Sequence, residues 1–195
     1  MARIYIFISQ IHKFQGLNEI EIIRGCQKKE AVAQHLLFKK YAGTLMTVCR
    51  RYACDQPEAE DMLQEAFINI FRSVTQYKST GTFEGWLRRV TVNAALNILQ
   101  KRKIKFTEFK NEQYELESGD ANAFPDLDAE DLLKLIRQLP DGYRMVFNLY
   151  VVEGYSHEEI SQLLKIKTAT SRSQLSKARA MLKEQIISLQ KIPWS

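Results

Sequence analysis

The sequence predicts an all-α protein of two small helical domains joined by a flexible acidic linker. Three observations predict it. Glycine and proline are few, 8 and 4 in 195 residues, and long stretches contain neither. Apolar residues recur three and four positions apart, the spacing of a helix with one buried face. The stretch TEFKNEQYELESGDANAFPDLDAED, from Thr107 to Asp131, sets many carboxylates against the single cation Lys110 and sustains no apolar period. Such a segment cannot bury enough apolar surface to order itself, and so reads as a linker. The division that follows is an N-terminal extension over 1–16, a first domain over 17–105, a linker over 106–127, a second domain over 128–190 and a tail over 191–195.

The elements follow in order. NEIEIIRGCQ and EAVAQHLLFKKYAGTLMTVCRRYA read as two helices between Ile20 and Ala53, the second loosened at Gly43. Asp55 offers an N-cap and Pro57 a first-turn proline for a third helix through Arg72. Tyr77–Thr82 is a loop, and a fourth helix runs from Phe83 to about Lys103, with Trp86 and Leu87 as its core anchors. Beyond the linker a helix spans Ala129–Leu139 and ends at Pro140, followed by DGYRMVFNLYVVEG, which Gly154 terminates. Ser156 and Glu159 form an S-x-x-E capping box that opens the short helix HEEISQLL. Lys165, Ile166 and Lys167 turn the chain into TATSRSQLSKARAML, which holds Arg172, Lys177 and Arg179 and no acid. Its apolar positions Leu175, Ala178 and Leu182 can face a core, leaving cations and hydroxyls on the other side.

A capped short helix, a tight turn and a basic amphipathic helix make a helix-turn-helix, whose second helix enters the DNA major groove. Carboxylates there would repel phosphate, which accounts for their absence. Thr170, Arg172, Ser173, Ser176 and Lys177 are the candidates for DNA contact, with Arg179 either touching phosphate or bracing the helices. An isolated basic helix is about as often merely solvated; the capped helix before it favours DNA.

Composition narrows the alternatives. The chain is 45% hydrophobic and 26% charged with a net charge of +5, ordinary for globular domains and mildly suited to an anionic partner. Cys26, Cys49 and Cys54 form no C-x-x-C pair, so packing roles in a reducing compartment are expected, and neither a disulfide framework nor a metal site. No segment approaches the roughly 18 apolar residues of a membrane span, so a cytoplasmic protein without membrane insertion is expected. MARIYIFISQIHKF lacks a signal-peptide cleavage site and reads as an extension or as a start codon set too far upstream. Glu58, Glu60, Asp61 and Glu65 spread around a helix instead of converging, and no catalytic His or Lys accompanies them, so no catalytic residue and no cofactor is expected.

With both halves in view, the chain resembles the sigma factors of bacterial RNA polymerase, in the extracytoplasmic-function group. LPDGYRMVFNLYVVEGYSHEEISQLLKIKTATSRSQLSKARAML is similar to that group's region four, and AEDMLQEAFINIFRSVTQYKSTGTFEGWLRRVTVNAALNILQKRK to its region two. The resemblance implies a dissociable initiation subunit, not an enzyme, that directs core polymerase to promoters and helps open the minus-ten element. Asp61, Gln64 and Glu65 would dock on the clamp helices of the largest subunit, although an acidic face is more often simply solvated. Tyr77, Lys78, Ser79 and Thr80 would capture a flipped minus-ten base, with Tyr77 and Phe83 either stacking on it or packing. Arg88, Arg89, Asn93, Lys101 and Arg102 would hold the strand beside it, with Lys103 and Lys105 adding to the basic cluster. The basic helix would read the minus-thirty-five element.

Further partners implied are the polymerase flap and an anti-sigma factor, with the free chain a monomer. The linker either threads the RNA exit path or is a contactless spacer. Lys165 and Ala169 stand where the group often has glycine, and Lys167 where it often has serine. The turn is therefore expected to differ slightly and the helix cap to pass to Thr168. Asn97 replaces a frequent acid late in region two. The competing reading is a stand-alone helix-turn-helix regulator, which leaves the Asp61 face and the first basic helix unused.

Overall fold

A computed structural model describes residues 18–101 and 128–190. The extension, the linker, the tail and the predicted contacts at Arg102, Lys103 and Lys105 lie outside them. The described residues are helical, with no strand among them, and cluster into two compact units. Among the described residues, one comprises 18–49 together with Gln56–Ala95; the other comprises Arg50–Asp55, 96–101 and 128–190.

In the first unit, α1 (Glu19–Gln27) opens with a capping box in which Asn18 and Glu21 bond each other's backbone. Gly25 then lets α1 approach α2 (Ala31–Tyr52), because a Cβ there would stand 2.5 Å from that of Ala33. The expected loosening at Gly43 does not occur: α2 runs unbroken through it, and the Thr47 hydroxyl bonds the Gly43 carbonyl. α3 (Gln56–Ser73) and a 3-10 turn (Val74–Gln76) lead into the Tyr77–Thr82 loop and α4 (Phe83–Lys101). Leu37, Leu45, Met62, Ala66, Ile70, Leu87 and Ala95 form the dry interior.

In the second unit, α5 (Ala129–Gln138) packs on α8 (Thr168–Gln190), their shared core being Leu135, Ile136, Leu139, Ala178, Leu182 and Ile186. α6 (Asp141–Phe147) continues into a π-turn (Asn148–Val152) that helical periodicity does not anticipate, and Gly154 ends it with φ +76. α7 (His157–Leu164) follows. Cys26 and Cys49 are buried as expected, whereas Cys54 is exposed, its sulfur accepting from Arg144 Nη2 at 3.3 Å. Burial pushes the Cys26 thiol up to about 11, which leaves it without nucleophilic character near neutral pH.

Candidate nucleic-acid interface

The helix-turn-helix assembles from local rules. The Ser156 hydroxyl accepts from the Glu159 amide at 3.2 Å while the Glu159 carboxylate takes the Ser156 N–H at 2.8 Å, which caps α7 at both donors. At its other end Lys165 adopts the left-handed conformation (φ 55, ψ 43), and the Ile166 N–H reaches back to the Ser161 carbonyl at 3.1 Å. A lysine thus occupies the position glycine favours, at a modest backbone cost. The cap of α8 does not pass to Thr168. That residue is already helical, and the first intrahelical bond runs from the Ser171 N–H to the Lys167 carbonyl, so Lys167 is the capping residue.

Ile160, Leu164 and Leu175 are buried where α7 packs on α8, while Leu163 remains half-buried. One polar bond adds to this: His157 Nδ1 lies 2.9 Å from the hydroxyl of the fully buried Ser171, and the imidazole stacks on Tyr150 at 4.4 Å. On the outer side of α8, Arg172, Ser173 and Arg179 are exposed, and Thr170, Ser176 and Lys177 are half-buried beside them. The Ser173 hydroxyl donates to the Thr170 carbonyl, so its oxygen is turned toward accepting. Arg172 lies 3.4 Å from Glu158 of α7, a partner fourteen residues away that sequence reading did not identify. Both side chains are about two-thirds exposed, so the pair adds little to stability, about 0–1 kcal/mol.

Burial pushes the His157 imidazole below its ordinary value, and the neighbouring Arg172 and Arg179 add to the effect against the opposing Glu158. Protons therefore bind the unfolded chain more readily than the folded one. The stability lost this way is nil above about pH 6.5 and grows as pH falls toward the lowered value. Thermal melts between pH 7 and pH 5 should show a fall in midpoint that becomes smaller when His157 is replaced by Asn.

In the first unit the Tyr77–Thr82 loop is held from within. The Tyr77 hydroxyl donates to the Gly81 carbonyl at 2.7 Å, Ser79 is left-handed (φ 55), and Thr82 Oγ1 accepts the Gly85 N–H at the start of α4. Lys78, Ser79 and Thr80 are exposed at the loop's tip. Phe83 is only 3% exposed, enclosed by Tyr41, Tyr77 and Trp86, which makes it a packing residue and not a stacking platform. Trp86, expected as a core anchor, is half-buried and lies nearly parallel to Phe83, whereas Leu87 is fully buried. Along α4, Arg89, Asn93 and Lys101 are exposed at four-residue multiples, with the half-buried Arg88 beside them.

Asp61 and Gln64 are exposed on α3, and Glu65 is half-buried, accepting a long 3.4 Å bond from Asn69. Leu63, Ala66, Phe67 and Ile70 bury the reverse side. Ile68, 39% exposed, continues the Asp61–Gln64–Glu65 face one step further. Its spacing of three from Glu65 was the available signal, masked because isoleucine reads as core.

Residues 37–104 match the family described as Sigma-70 region 2, and residues 129–182 match Sigma-70, region 4. The chain belongs to the sigma-70 family. Within it, this sigma factor is of the extracytoplasmic-function type: it is 33% identical over 153 residues to the ECF RNA polymerase sigma factor SigE of Mycolicibacterium smegmatis. That alignment covers 76% of this chain and spans 59% of the relative's length. It is 28% identical over 184 residues to the ECF RNA polymerase sigma-E factor of Escherichia coli, covering 88% of this chain and 96% of the relative. A solved structure of the sigma factor RpoE from Bartonella quintana, in complex with the anti-sigma factor NepR, is similar at 18% identity. Its TM-score is 0.49, with 80% of this sigma factor and 98% of that chain covered. Among the described residues no helix is long and apolar enough to cross a membrane, and no three His, Cys, Asp or Glu converge as metal ligands.

Proposed function

We propose that this chain binds core RNA polymerase in the cytoplasm, carries it to promoters and helps open the minus-ten element, the synthesis itself belonging to the core enzyme. The domains would be 17–105 for polymerase docking and minus-ten contact and 128–190 for minus-thirty-five contact, with 106–127 as the tether. The observation that supports the reading best is the recognition helix. From Thr168 to Leu182 it has no acid, its outward side carries Arg172, Ser173 and Arg179, and its position is set by a buried core and the His157–Ser171 bond. In this reading Arg172 meets base edges, Ser173 and Ser176 supply short hydrogen-bonding groups beside it, and Thr170, Lys177 and Arg179 hold flanking phosphates.

The α4 stripe of Arg88, Arg89, Asn93 and Lys101, with Arg102 following, neutralises phosphates of the opened strand, so its binding weakens steeply with salt. Tyr77, Lys78, Ser79 and Thr80 line the site of the extruded base. Tyr77, half-buried at the start of the loop, stacks on that base, worth about 1–3 kcal/mol. Asp61, Gln64 and Glu65 form the polymerase-docking face on the largest-subunit clamp helices, while the second domain meets the flap. An anti-sigma factor restrains the free, monomeric chain.

Run-off transcription with purified core polymerase tests the whole reading. Initiation from specific promoters that depends on this chain supports it. Sequence-specific binding by the chain alone without initiation would establish the stand-alone regulator instead. Replacing Arg88, Arg89 and Asn93 together by Ala should reduce permanganate reactivity of minus-ten thymines roughly tenfold, equal to about 1.4 kcal/mol; unchanged footprints would remove those residues from the site.

A further inference from the structure

The first turn of α7 holds two acids, Glu158 and Glu159, with different tasks. Glu159 is consumed by the capping box, bonding the Ser156 N–H at 2.8 Å. Glu158 contributes nothing to that cap. Its carboxylate points instead to the guanidinium of Arg172 on the recognition helix, Oε1 to Nη2 at 3.4 Å. The two backbones are held at this separation by the His157–Ser171 bond one residue earlier on each helix, and the two helices bury Ile160 and Leu175. The acid-free stretch Thr168–Leu182 thus meets a carboxylate placed from outside at its foremost arginine.

We propose that Glu158 is a specificity-determining residue of the minus-thirty-five contact, acting through Arg172 as a positioning residue. The inference rests on the reading that Arg172 faces a base. Arginine offers five N–H donors in a rigid planar fork. A carboxylate engaging one Nη edge leaves the others free and sets the plane in which the fork reaches the groove. A base edge offering two acceptors in that plane, such as guanine O6 and N7, is then met directly. A phosphate approached from other directions has to compete with Glu158 and is repelled by it. Glu158 therefore sharpens base choice and weakens binding to DNA at large. A plain surface ion pair would do neither.

The experiment uses the full-length chain assembled with core polymerase, on a promoter library randomised across the minus-thirty-five element, with non-promoter DNA retention measured in parallel. Arg172→Ala should flatten the preference at one base position. Glu158→Ala should lower the preference at that same position roughly five- to tenfold while raising retention on non-promoter DNA. Glu158→Gln keeps an acceptor without the charge and should largely restore the base preference while leaving the retention raised. In the Arg172→Ala background, Glu158→Ala should leave the base preference unaltered.

If Arg172→Ala flattens the preference and Glu158→Ala does not, the proposal is overturned and the Arg172 reading stands. If Arg172→Ala leaves every position's preference intact, both fall together. Equal loss across all positions on Glu158→Ala would mark Glu158 as merely structural and would likewise overturn the proposal.

Discussion

The chain with Asp61→Arg and Glu65→Arg is expected to lose association with core polymerase and, with it, run-off transcription. Both carboxylates lie on the outward side of α3, Asp61 exposed and Glu65 half-buried, while Leu63, Ala66, Phe67 and Ile70 secure the helix from behind. Reversing two charges at a docking face sets like charge against whatever cationic surface received them, at a cost of several kcal/mol. That amounts to a loss of affinity of roughly a hundredfold or more. The fold should change little, because surface substitutions away from caps and cores usually fall within about 0.5 kcal/mol and Glu65, half-buried, lies outside the packed side of α3. The one bond removed is the long contact from Asn69 to Glu65. Pull-down of core polymerase read beside a thermal melt checks both halves. Undiminished capture by a folded variant would take Asp61 and Glu65 out of the interface and leave the recognition helix untouched.

Arg144→Ala should produce the largest loss of stability. Arg144 is 1% exposed at the corner where α5 gives way to α6 around Pro140. Its Nη1 donates to the carbonyls of Arg137 (3.0 Å) and Leu139 (3.1 Å), and its Nη2 to the Asp141 carboxylate at 2.5 Å. The last carbonyls of a helix have no partner within it, and here proline cannot supply an N–H to them. One guanidinium serves that purpose and ties it to the first residue of α6. Truncation strands the carbonyls of Arg137 and Leu139 together with that of Tyr52, which accepts from Nε at 3.1 Å, and each buried acceptor left unpaired costs about 1–3 kcal/mol. For a domain of this size the unfolding midpoint should fall by more than about 10 °C. Arg144→Lys should recover only part of it, since a single ammonium cannot span both carbonyls and the carboxylate in one plane. A midpoint unchanged in Arg144→Ala would show that the corner is held by packing alone.

Several parts of this molecule were legible along the chain because their physics is local. The α7 capping box needs only Ser156 and Glu159 three positions apart, and both bonds form. The buried stripe Leu175, Ala178, Leu182 follows from the helical repeat, as does the Asp61–Gln64–Glu65 face opposite Leu63, Ala66, Phe67 and Ile70. Other features depend on partners brought from a distance. Phe83 looked available for a base until Tyr41, Tyr77 and Trp86 closed around it. The π-turn at Asn148–Val152 breaks a periodicity that the residues themselves continue. Lys167 took the cap of α8 because Lys165, though not a glycine, still adopted the left-handed turn.

The class of fold, the order of its helices, the side each helix buries and the family to which it belongs can all be read along the chain. Those properties are written in the spacing of neighbours three and four residues apart, which a chain carries wherever it goes. Which charges meet a partner depends on how distant segments come together. The recognition helix is free of acid from Thr168 to Leu182, yet Arg172 meets Glu158 because a turn of three residues folds one helix across the other. Coulomb attraction depends on distance in space, and fourteen residues of separation become 3.4 Å only once the turn has formed.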